Sequence, residues 1–118
     1  MFTLKQFNKE FPTFRVWDKK YKTMCKVHSI DLKDKTINGV YVQKRCILMQ
    51  STGIIDINGK EVFELDIISY MFDHGLGEQK EYAVVNDGNS ISEFISLVGE
   101  EIKIEGNWFE DKNLKNLI

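Results

Sequence analysis

The dipeptide Asn58-Gly59 is the feature that most constrains what this chain can fold into. Both residues tolerate a positive backbone φ, and they separate an apolar run that ends at Ile57 from another that begins at Glu61. This arrangement is the strongest short-range signal for a β-hairpin. The sequence therefore predicts two antiparallel strands around this turn. A hairpin by itself specifies no chemistry.

The composition is that of one compact domain. The chain has 118 residues, of which 42% are hydrophobic and 29% charged, so it can close a modest core without disulfides or a metal. Sixteen basic and eighteen acidic residues give a formal net charge of -2. The total charge therefore offers no general attraction for nucleic acid.

The two cysteines, Cys25 and Cys46, do not form a Cys-x-x-Cys pattern, and we expect both to be reduced and buried. The first residues lack the basic and apolar regions of a leader peptide. No apolar run approaches the roughly 18 residues of a membrane span. The sequence thus predicts a soluble, cytoplasmic protein without a membrane partner.

Apolar residues alternate with polar ones along much of the chain, which is the period of β-strands. Residues 14–17 and 22–28 predict a hairpin around the polar link 18–21. Asn38-Gly39 interrupts residues 37 and 40–42, which predicts another pair of short strands around a turn. Further strands are predicted at 46–49, 61–63, 67–72, 81–85 and 102–104, with connections at 29–35 and 73–80. Short strands at close spacing favour a small barrel or a strongly bent antiparallel sheet over a parallel sheet. We therefore predict a mainly β fold.

Three segments have helical features. Thr3 and Gln6 form a potential capping box, which predicts a short helix over residues 3–11. Residues 111–118 predict a final helical turn with Leu114, Leu117 and Ile118 facing inward. Residues 90–98 fit a helix or a strand, and their periodicity does not choose between the two.

Three blocks of residues carry a resemblance to a known family. They are Phe14-Arg-Val-Trp-Asp18 with Met24; Leu48-Met-Gln-Ser-Thr-Gly53 followed by Asp56-Ile-Asn-Gly-Lys-Glu61, Phe63-Glu64 and Asp66-Ile67; and Gly106-Asn107 with Phe109-Glu110 and Leu114. In order and spacing, over about residues 14–115, they resemble the YopX family of small phage and prophage proteins. The chain departs from the family pattern at Leu65, where Gly is usual, at Glu105, where an apolar residue is usual, and at Lys112, where Pro is common.

The resemblance implies a C-terminal SH3-like barrel over residues 46–118. It also implies an N-terminal extension over residues 1–45, made of a short helix and β structure and packed with the barrel as one unit. The family's biochemical role is not established, so the resemblance implies no activity. A phage protein would act in the cytoplasm of a bacterial host cell.

Candidate catalytic and metal-binding groups are sparse. His74 lies in a predicted loop without metal-ligand spacing around it, and Asp56-x-Asn58-Gly59 lacks the first acidic position and the distal Glu of a calcium loop. Glu64 and Asp66 share one side of a predicted strand, where a solvent-exposed face explains them without catalysis. No nucleophile, base and orienting group can be assembled. We predict no enzymatic activity, no cofactor and no metal.

A basic cluster is the best candidate for contact with a partner. Its members are Arg15, Lys19, Lys20, Lys22 and Lys26, beside Tyr21. A hairpin can present several of them on one edge to a polyanion, although plain solvation and protection of an edge strand explain them more simply. The acidic stretch from Glu100 to Asp111 can complement this hairpin in a second subunit.

The aromatic residues favour a core, with Trp17 and Trp108 kept as interface candidates. The sequence as a whole predicts a non-enzymatic protein-interaction or self-associating module, a homo-oligomer or a protein that docks onto a host or phage protein. The alternative prediction is a nucleic-acid-binding module that uses the basic hairpin 15–26.

Overall fold

The computed structural model describes residues 13–41, 45–86 and 101–118, and within them it is mainly β, as predicted. In chain order the strands are β1 Phe14–Asp18, β2 Thr23–Lys26, β3 Ile30–Asp31, β4 Thr36–Ile37, β5 Val40–Tyr41, β6 Cys46–Ile55, β7 Glu61–Phe63, β8 Asp66–Asp73, β9 Glu78–Val84 and β10 Lys103–Asn107, followed by a 3₁₀ helix over Lys112–Leu117. The predicted helix at 3–11 and the segment 90–98 lie outside the described residues.

The first sheet has the order β2-β1-β6-β7. Its β1 is a central strand, with Arg15 opposite Lys26 of β2 on one side and opposite Met49 of β6 on the other. Val16 and Trp17 point to opposite faces, yet both are buried, which means that both faces of β1 are covered. The pairing of β1 with β6 also puts strands from the predicted extension and the predicted barrel into one sheet.

The second sheet has the order β10-β8-β9 and curls with the first around a shared core. That core contains Ile54, Val62, Ile68, Val85 and Ile102. The β8–β9 pairing runs from Ile67 opposite Val84 to Asp73 opposite Glu78. The connecting loop is therefore shorter than the predicted 73–80, because the polar residues at the start of β9 pair along an exposed edge.

Two hairpin predictions around Asn-Gly turns are confirmed. Asn58-Gly59 connects β6 to β7, with the Gly59 amide donating to the Asp56 carbonyl at 3.0 Å. Asn38-Gly39 connects β4 to β5, and the Asn38 side chain also accepts hydrogen bonds from the amides of His28 and Ser29. These bonds hold the preceding chain near β4, so β3 forms within the predicted connection 29–35.

The C-terminal helical turn is present, but its predicted orientation was wrong in part. Leu114 is half-buried against Gly106, whereas Leu117 and Ile118 are 53% and 52% exposed. A 3₁₀ helix rises about 2 Å per residue, so Leu117 lies about 6 Å farther along the helix axis than Leu114. That displacement carries it beyond the contact that Leu114 makes.

Candidate interaction surface at the basic hairpin

Asp18 organises the turn between β1 and β2, which we call the basic turn (residues 19–22). Its Oδ1 accepts hydrogen bonds from the backbone amides of Lys20 at 2.9 Å and Tyr21 at 3.2 Å. Lys22 closes the turn with a left-handed φ of 54°. An aspartate that binds amides two and three residues later is a common way to stabilise a tight turn. The position of this turn therefore depends on the Asp18 carboxylate.

Arg45 clamps that carboxylate from outside the hairpin. Its Nε lies 3.2 Å from both Asp18 oxygens, and its Nη2 lies 2.9 Å from Oδ2. The Lys19 amide donates to the Arg45 carbonyl at 2.7 Å, so the backbone joins the same contact. The Arg45 hydrogen bonds, with help from the two turn amides, hold the pKa of Asp18 at about 2, and Asp18 in turn raises the pKa of Arg45. The clamp is thus fully charged at neutral pH.

Tyr21 is an exposed aromatic residue in an ordered setting. Its side chain is 64% exposed, yet its backbone amide is bound to Asp18. The Arg45 Cζ lies 5.0 Å from the ring centroid, and the Lys20 Nζ lies 5.3 Å from it. Both separations are within the range of cation–π attraction. The ring is therefore exposed to solvent beside two cations.

The β3–β4 turn (residues 32–35), which we call the neutral turn, has the same backbone design. Asp31 Oδ1 accepts from the amides of Lys33 and Asp34 at 2.9 and 3.0 Å, and Lys35 has a φ of 56°. With the preceding aspartate included in each case, the neutral turn has two lysines and two aspartates, whereas the basic turn has three lysines and one aspartate. Because the neutral turn forms without Tyr21 or a third lysine, these residues are not needed to build such a turn.

The structure brings together three of the five predicted contact residues, and the fourth, Lys26, lies at the other end of β2, opposite Arg15. Lys19, Lys20 and Lys22 are exposed in the basic turn, and Lys26 is exposed on the neighbouring strand β2. Across the described ranges 13–41, 45–86 and 101–118, the ammonium groups of these four lysines form no ion pair with a carboxylate. Their charge is available to a partner.

Arg15 has a different environment. Its Nη2 lies 2.8 Å from Asp66 Oδ1 and 3.1 Å from the Glu64 carbonyl, and its guanidinium covers the Phe63 ring at 4.9 Å. Asp66 is only 2% exposed, so its predicted place on a solvent-exposed face was wrong. The cause is a break at Leu65, which has a φ of 67° and separates β7 from β8.

Burial raises the pKa of the Asp66 carboxyl, while Arg15 and the Phe63 amide act in the opposite direction. The Phe63 amide donates to Asp66 Oδ2 at 2.8 Å. Both oxygens of this buried carboxylate therefore have partners within the fold. The pair connects the first sheet to the start of β8.

An aromatic stack joins the end of β1 to the C-terminal part of the chain. The Trp17 and Phe109 rings stack with centroids 5.2 Å apart and planes 12° apart. Trp17 immediately precedes Asp18, and Phe109 immediately precedes Glu110. The stack therefore places the end of β1, which leads into the basic turn, against the C-terminal turn (residues 108–111). An open groove there is lined by Glu105, Glu110, Asp111, Lys112, Asn113 and Leu114.

Other carboxylates of the three sequence blocks serve the fold. Asp56 is buried and accepts from the amides of Asn58 and Lys60 at 2.9 and 2.8 Å, and from Ile104 at 3.0 Å. The carboxylate thus holds the Asn58-Gly59 turn against β10, and its oxygens are occupied by amides instead of a cation.

The third block forms a tight turn for similar reasons. Asn107 Oδ1 accepts from the amides of Phe109 and Glu110, and its Nδ2 donates to Glu110 Oε1 at 2.7 Å. The Asn107 amide donates to Asp111 Oδ2 at 2.9 Å. A Cβ on Gly106 would collide with the Asp111 carboxylate, so glycine at 106 permits this close approach.

Glu105 is the extra residue of a β-bulge between Ile104 and Gly106. Its side chain accepts from Ser69 Oγ at 2.6 Å and lies 3.0 Å from Lys80 Nζ. The Ser69 hydrogen bond, assisted by Lys80, lowers the pKa of Glu105. The bulge therefore directs the Glu105 side chain to polar partners on β8 and β9.

The remaining candidates have local roles. His74 is exposed, lies 2.5 Å from Glu81 Oε1 and contacts the edge of the Phe72 ring. Cys25 and Cys46 are free and flank β1 on opposite sides, which separates their Cα atoms by about 10 Å, two strand spacings. A disulfide needs a Cα separation below about 7 Å.

Nowhere in the described part of the chain do three or more His, Cys, Asp or Glu side chains gather closely enough to bind a metal ion. Within the same ranges, no helix combines the length and apolar character that crossing a bilayer requires.

Sequence reasoning missed the role of Arg45, which lies 27 residues from Asp18 and outside every recognised block. No local sequence pattern indicates that Arg45 binds Asp18. The one available signal was the repeated Asp-x-Lys-x-Lys-Thr spacing at Asp18 and Asp31, which marks two equivalent turns and directs attention to what differs between them.

Comparisons with known proteins agree with the resemblance. A family model described as YopX protein matches residues 13–116. The crystal structure of protein EF1440 from Enterococcus faecalis is similar to this chain with a TM-score of 0.59 and 20% sequence identity, over 90% of this chain and 99% of that one. At this identity the likeness concerns the fold alone. A search of curated proteins gives no match.

Proposed function

The chain belongs to the YopX protein family, and from the surface that its fold exposes we propose that it is a non-enzymatic module that associates with itself or docks onto another protein. The observation that carries this proposal is the Trp17–Phe109 stack, which joins the strand that leads into the basic turn to the C-terminal turn that lines the acidic groove. Adjacent patches of opposite charge are complementary to the same two patches on a second copy related by two-fold symmetry.

The environment of the buried polar residues supports a binding role over a catalytic one. In the described ranges the buried carboxylates of Asp56 and Asp66 bind backbone amides or Arg15, and Asn107 organises its own turn. These groups are occupied by the fold. The four lysines of the hairpin are not, which is why we assign function to that surface.

The family resemblance also leads us to propose a phage or prophage origin and action in the cytoplasm of a bacterial host. The two free cysteines are compatible with a reducing compartment. Burial raises the pKa of the Cys46 thiol, which keeps it protonated and poorly reactive.

Light scattering after size-exclusion chromatography tests self-association. We expect the wild-type protein to have twice the chain mass at low ionic strength and to dissociate as salt screens the contact. Lys20→Glu with Lys22→Glu should give a monomer. The matched control is Lys33→Glu with Lys35→Glu, which makes the same charge change in the neutral turn and should remain a dimer.

A gain-of-function variant checks the groove. Lys112→Glu makes the groove more acidic at an exposed position, so it should raise the salt concentration at which the dimer dissociates. A wild-type protein that is monomeric at all micromolar concentrations and low salt would contradict self-association. A dimer that both lysine pairs affect equally would place the contact elsewhere.

Nucleic-acid binding at the same hairpin is the second candidate function. Tyr21 favours it, because an exposed ring among unpaired lysines is the composition of surfaces that bind single strands. Absorbance at 260 and 280 nm across the chromatographic peak distinguishes the two: a nucleic-acid-free dimer supports self-association, and a peak that loses nucleic acid in high salt supports the second candidate.

A further inference from the structure

The two Asp-organised turns provide an internal comparison. They share the two aspartate–amide bonds and the left-handed closing lysine, so the backbone of each is explained by the same contacts. The basic turn adds an aromatic ring at Tyr21, where the neutral turn has Asp34, and a lysine at Lys19, where the neutral turn has Leu32. These additions exceed what the turn requires.

Tyr21 contacts one cation that the fold holds in place and one that it does not. Arg45 is fixed by three contacts to Asp18, and its guanidinium lies 5.0 Å from the Tyr21 centroid. The Lys20 ammonium also lies near the ring, but no ion pair to a described residue holds it there. A flat apolar group can therefore replace Lys20 at the ring while the arginine keeps the ring in place.

We propose that Tyr21 is a stacking platform for an unpaired nucleobase, with the ammonium groups of Lys19, Lys20 and Lys22 contacting the phosphates on either side and Lys26 contacting a phosphate farther along the strand. This inference rests on the second of the two proposed functions and names its ligand as single-stranded nucleic acid. Every base has a π-face, so the platform accepts any sequence. A duplex keeps its bases stacked inside and offers the ring no free face.

The charge arrangement fits this ligand. Phosphates flank each base of a single strand, and the lysines flank Tyr21 in the chain: Lys19 and Lys20 precede it, Lys22 follows it, and Lys26 lies on β2. The ammonium displaced from the ring by a base becomes available to the adjacent phosphate. Each phosphate contact contributes about 0.7 to the slope of log affinity against log salt for a single strand.

Fluorescence anisotropy with a labelled oligothymidylate of about 12 nucleotides tests the platform, since this length is within the site sizes of small single-strand binders. Tyr21→Ala should weaken binding about 5- to 150-fold, the loss of one base stack, without changing the salt slope. Tyr21→Phe keeps the ring and should bind like the wild type. Both changes are at an exposed side chain, and equal thermal unfolding curves verify the fold.

The lysines are tested with neutral variants at matched positions. Lys20→Ala with Lys22→Ala should reduce the salt slope by about 1.4, whereas Lys33→Ala with Lys35→Ala in the neutral turn should leave it unchanged. A labelled duplex of the same length should bind more weakly than the single strand.

These measurements distinguish base stacking on Tyr21 from nucleic-acid binding in general. If the wild-type protein leaves the anisotropy unchanged at low salt, both fail and self-association remains. If the lysine pair matters but Tyr21→Ala binds as well as the wild type, or if the duplex binds as tightly as the single strand, nucleic-acid binding stands and base stacking is overturned. Equal effects of the two lysine pairs would place binding outside the hairpin and overturn the inference.

Discussion

Leu65 is a bulky residue in a backbone conformation that favours glycine. Its φ is 67°, and the backbone is held there from both sides, because its amide donates to Val85 at 2.7 Å and its carbonyl accepts from Trp108 at 2.9 Å. The resemblance to the YopX family implies glycine at this position. The conformation that glycine would supply is therefore retained here, at a cost in backbone strain.

This strain predicts that glycine at position 65 gives a more stable protein than alanine does. Leu65→Gly and Leu65→Ala both remove the half-buried side chain, but only glycine relieves the left-handed backbone, so the glycine variant should be more stable than the alanine variant by about 1 kcal/mol. Urea unfolding measures the difference. At Leu48, on strand β6, the order should reverse, since glycine costs about 0.5–1 kcal/mol relative to alanine in a strand. The same order at both positions would contradict strain at Leu65.

At the scale of elements, the two Asp-organised turns differ in one electrostatic contact, the Arg45 clamp. Because the folded pKa of Asp18 is about 2 and its ordinary value is 3.8, the charged carboxylate contributes stability that is fully present above about pH 4. That contribution is lost as the pH falls through about 2. The stability of the first hairpin should therefore depend on pH in this acidic window.

Asp18→Asn isolates the effect. The difference in unfolding free energy between wild type and variant should be constant above about pH 5 and should shrink between pH 4 and 2, because protonated Asp18 resembles asparagine. Asp31→Asn is the matched control, since Asp31 accepts hydrogen bonds from the two equivalent amides of its own turn and no arginine contacts it among the described residues. Urea unfolding from pH 2 to 6 measures both. A difference for Asp18→Asn that does not change with pH would contradict the clamp.

The elements that the sequence predicted are those with local causes. The Asn58-Gly59 and Asn38-Gly39 turns and the alternating strands around them depend on residues that are neighbours in the chain. The prediction failed where distant contacts decide. Asp66 is buried because the chain turns at Leu65 and Arg15 reaches it from another sheet, and the first residues of β9 are a strand because β8 pairs with them. Neither cause is visible in a short window.

The same division applies to the candidate surface. Four of its lysines were recognisable as a local cluster, and the structure leaves them exposed. Arg15 belonged to that cluster by sequence alone and faces an internal partner instead. The rigid support of Tyr21 was not predictable, since it depends on a single arginine brought beside the turn by the β1–β6 pairing.

At the scale of the whole molecule, the three sequence blocks meet in one network. Arg15 of the first block pairs with Asp66 of the second, Trp17 of the first stacks on Phe109 of the third, and Asp56 of the second binds the Ile104 amide just before the third. The residues that identify the family are thus the ones that join the two sheets. The spacing of these residues reflects the fold. The proposed function rests on Tyr21 and the lysines of the hairpin, which are not among the residues that carry the family resemblance.

The Arg15–Asp66 pair tests how far the whole fold depends on this network. Arg15→Met leaves a buried carboxylate without its cation, which should cost about 3–5 kcal/mol at neutral pH. This loss of unfolding free energy should be smaller near pH 4. Without Arg15 the folded pKa of Asp66 rises further above its ordinary 3.8, so stability is fully present below that value and is lost as the pH rises.

Denaturant unfolding of the double variant Arg15→Met with Asp66→Asn separates charge from packing. Asparagine keeps an oxygen for the Phe63 amide and carries no charge, so the double variant should recover part of the loss at pH 7 and should lack the added pH dependence. If the double variant is as unstable as Arg15→Met at pH 7, the loss comes from packing of the guanidinium on the Phe63 ring. The stabilising contact would then be the packing of Arg15 on Phe63 within the first sheet, instead of the buried ion pair between the sheets.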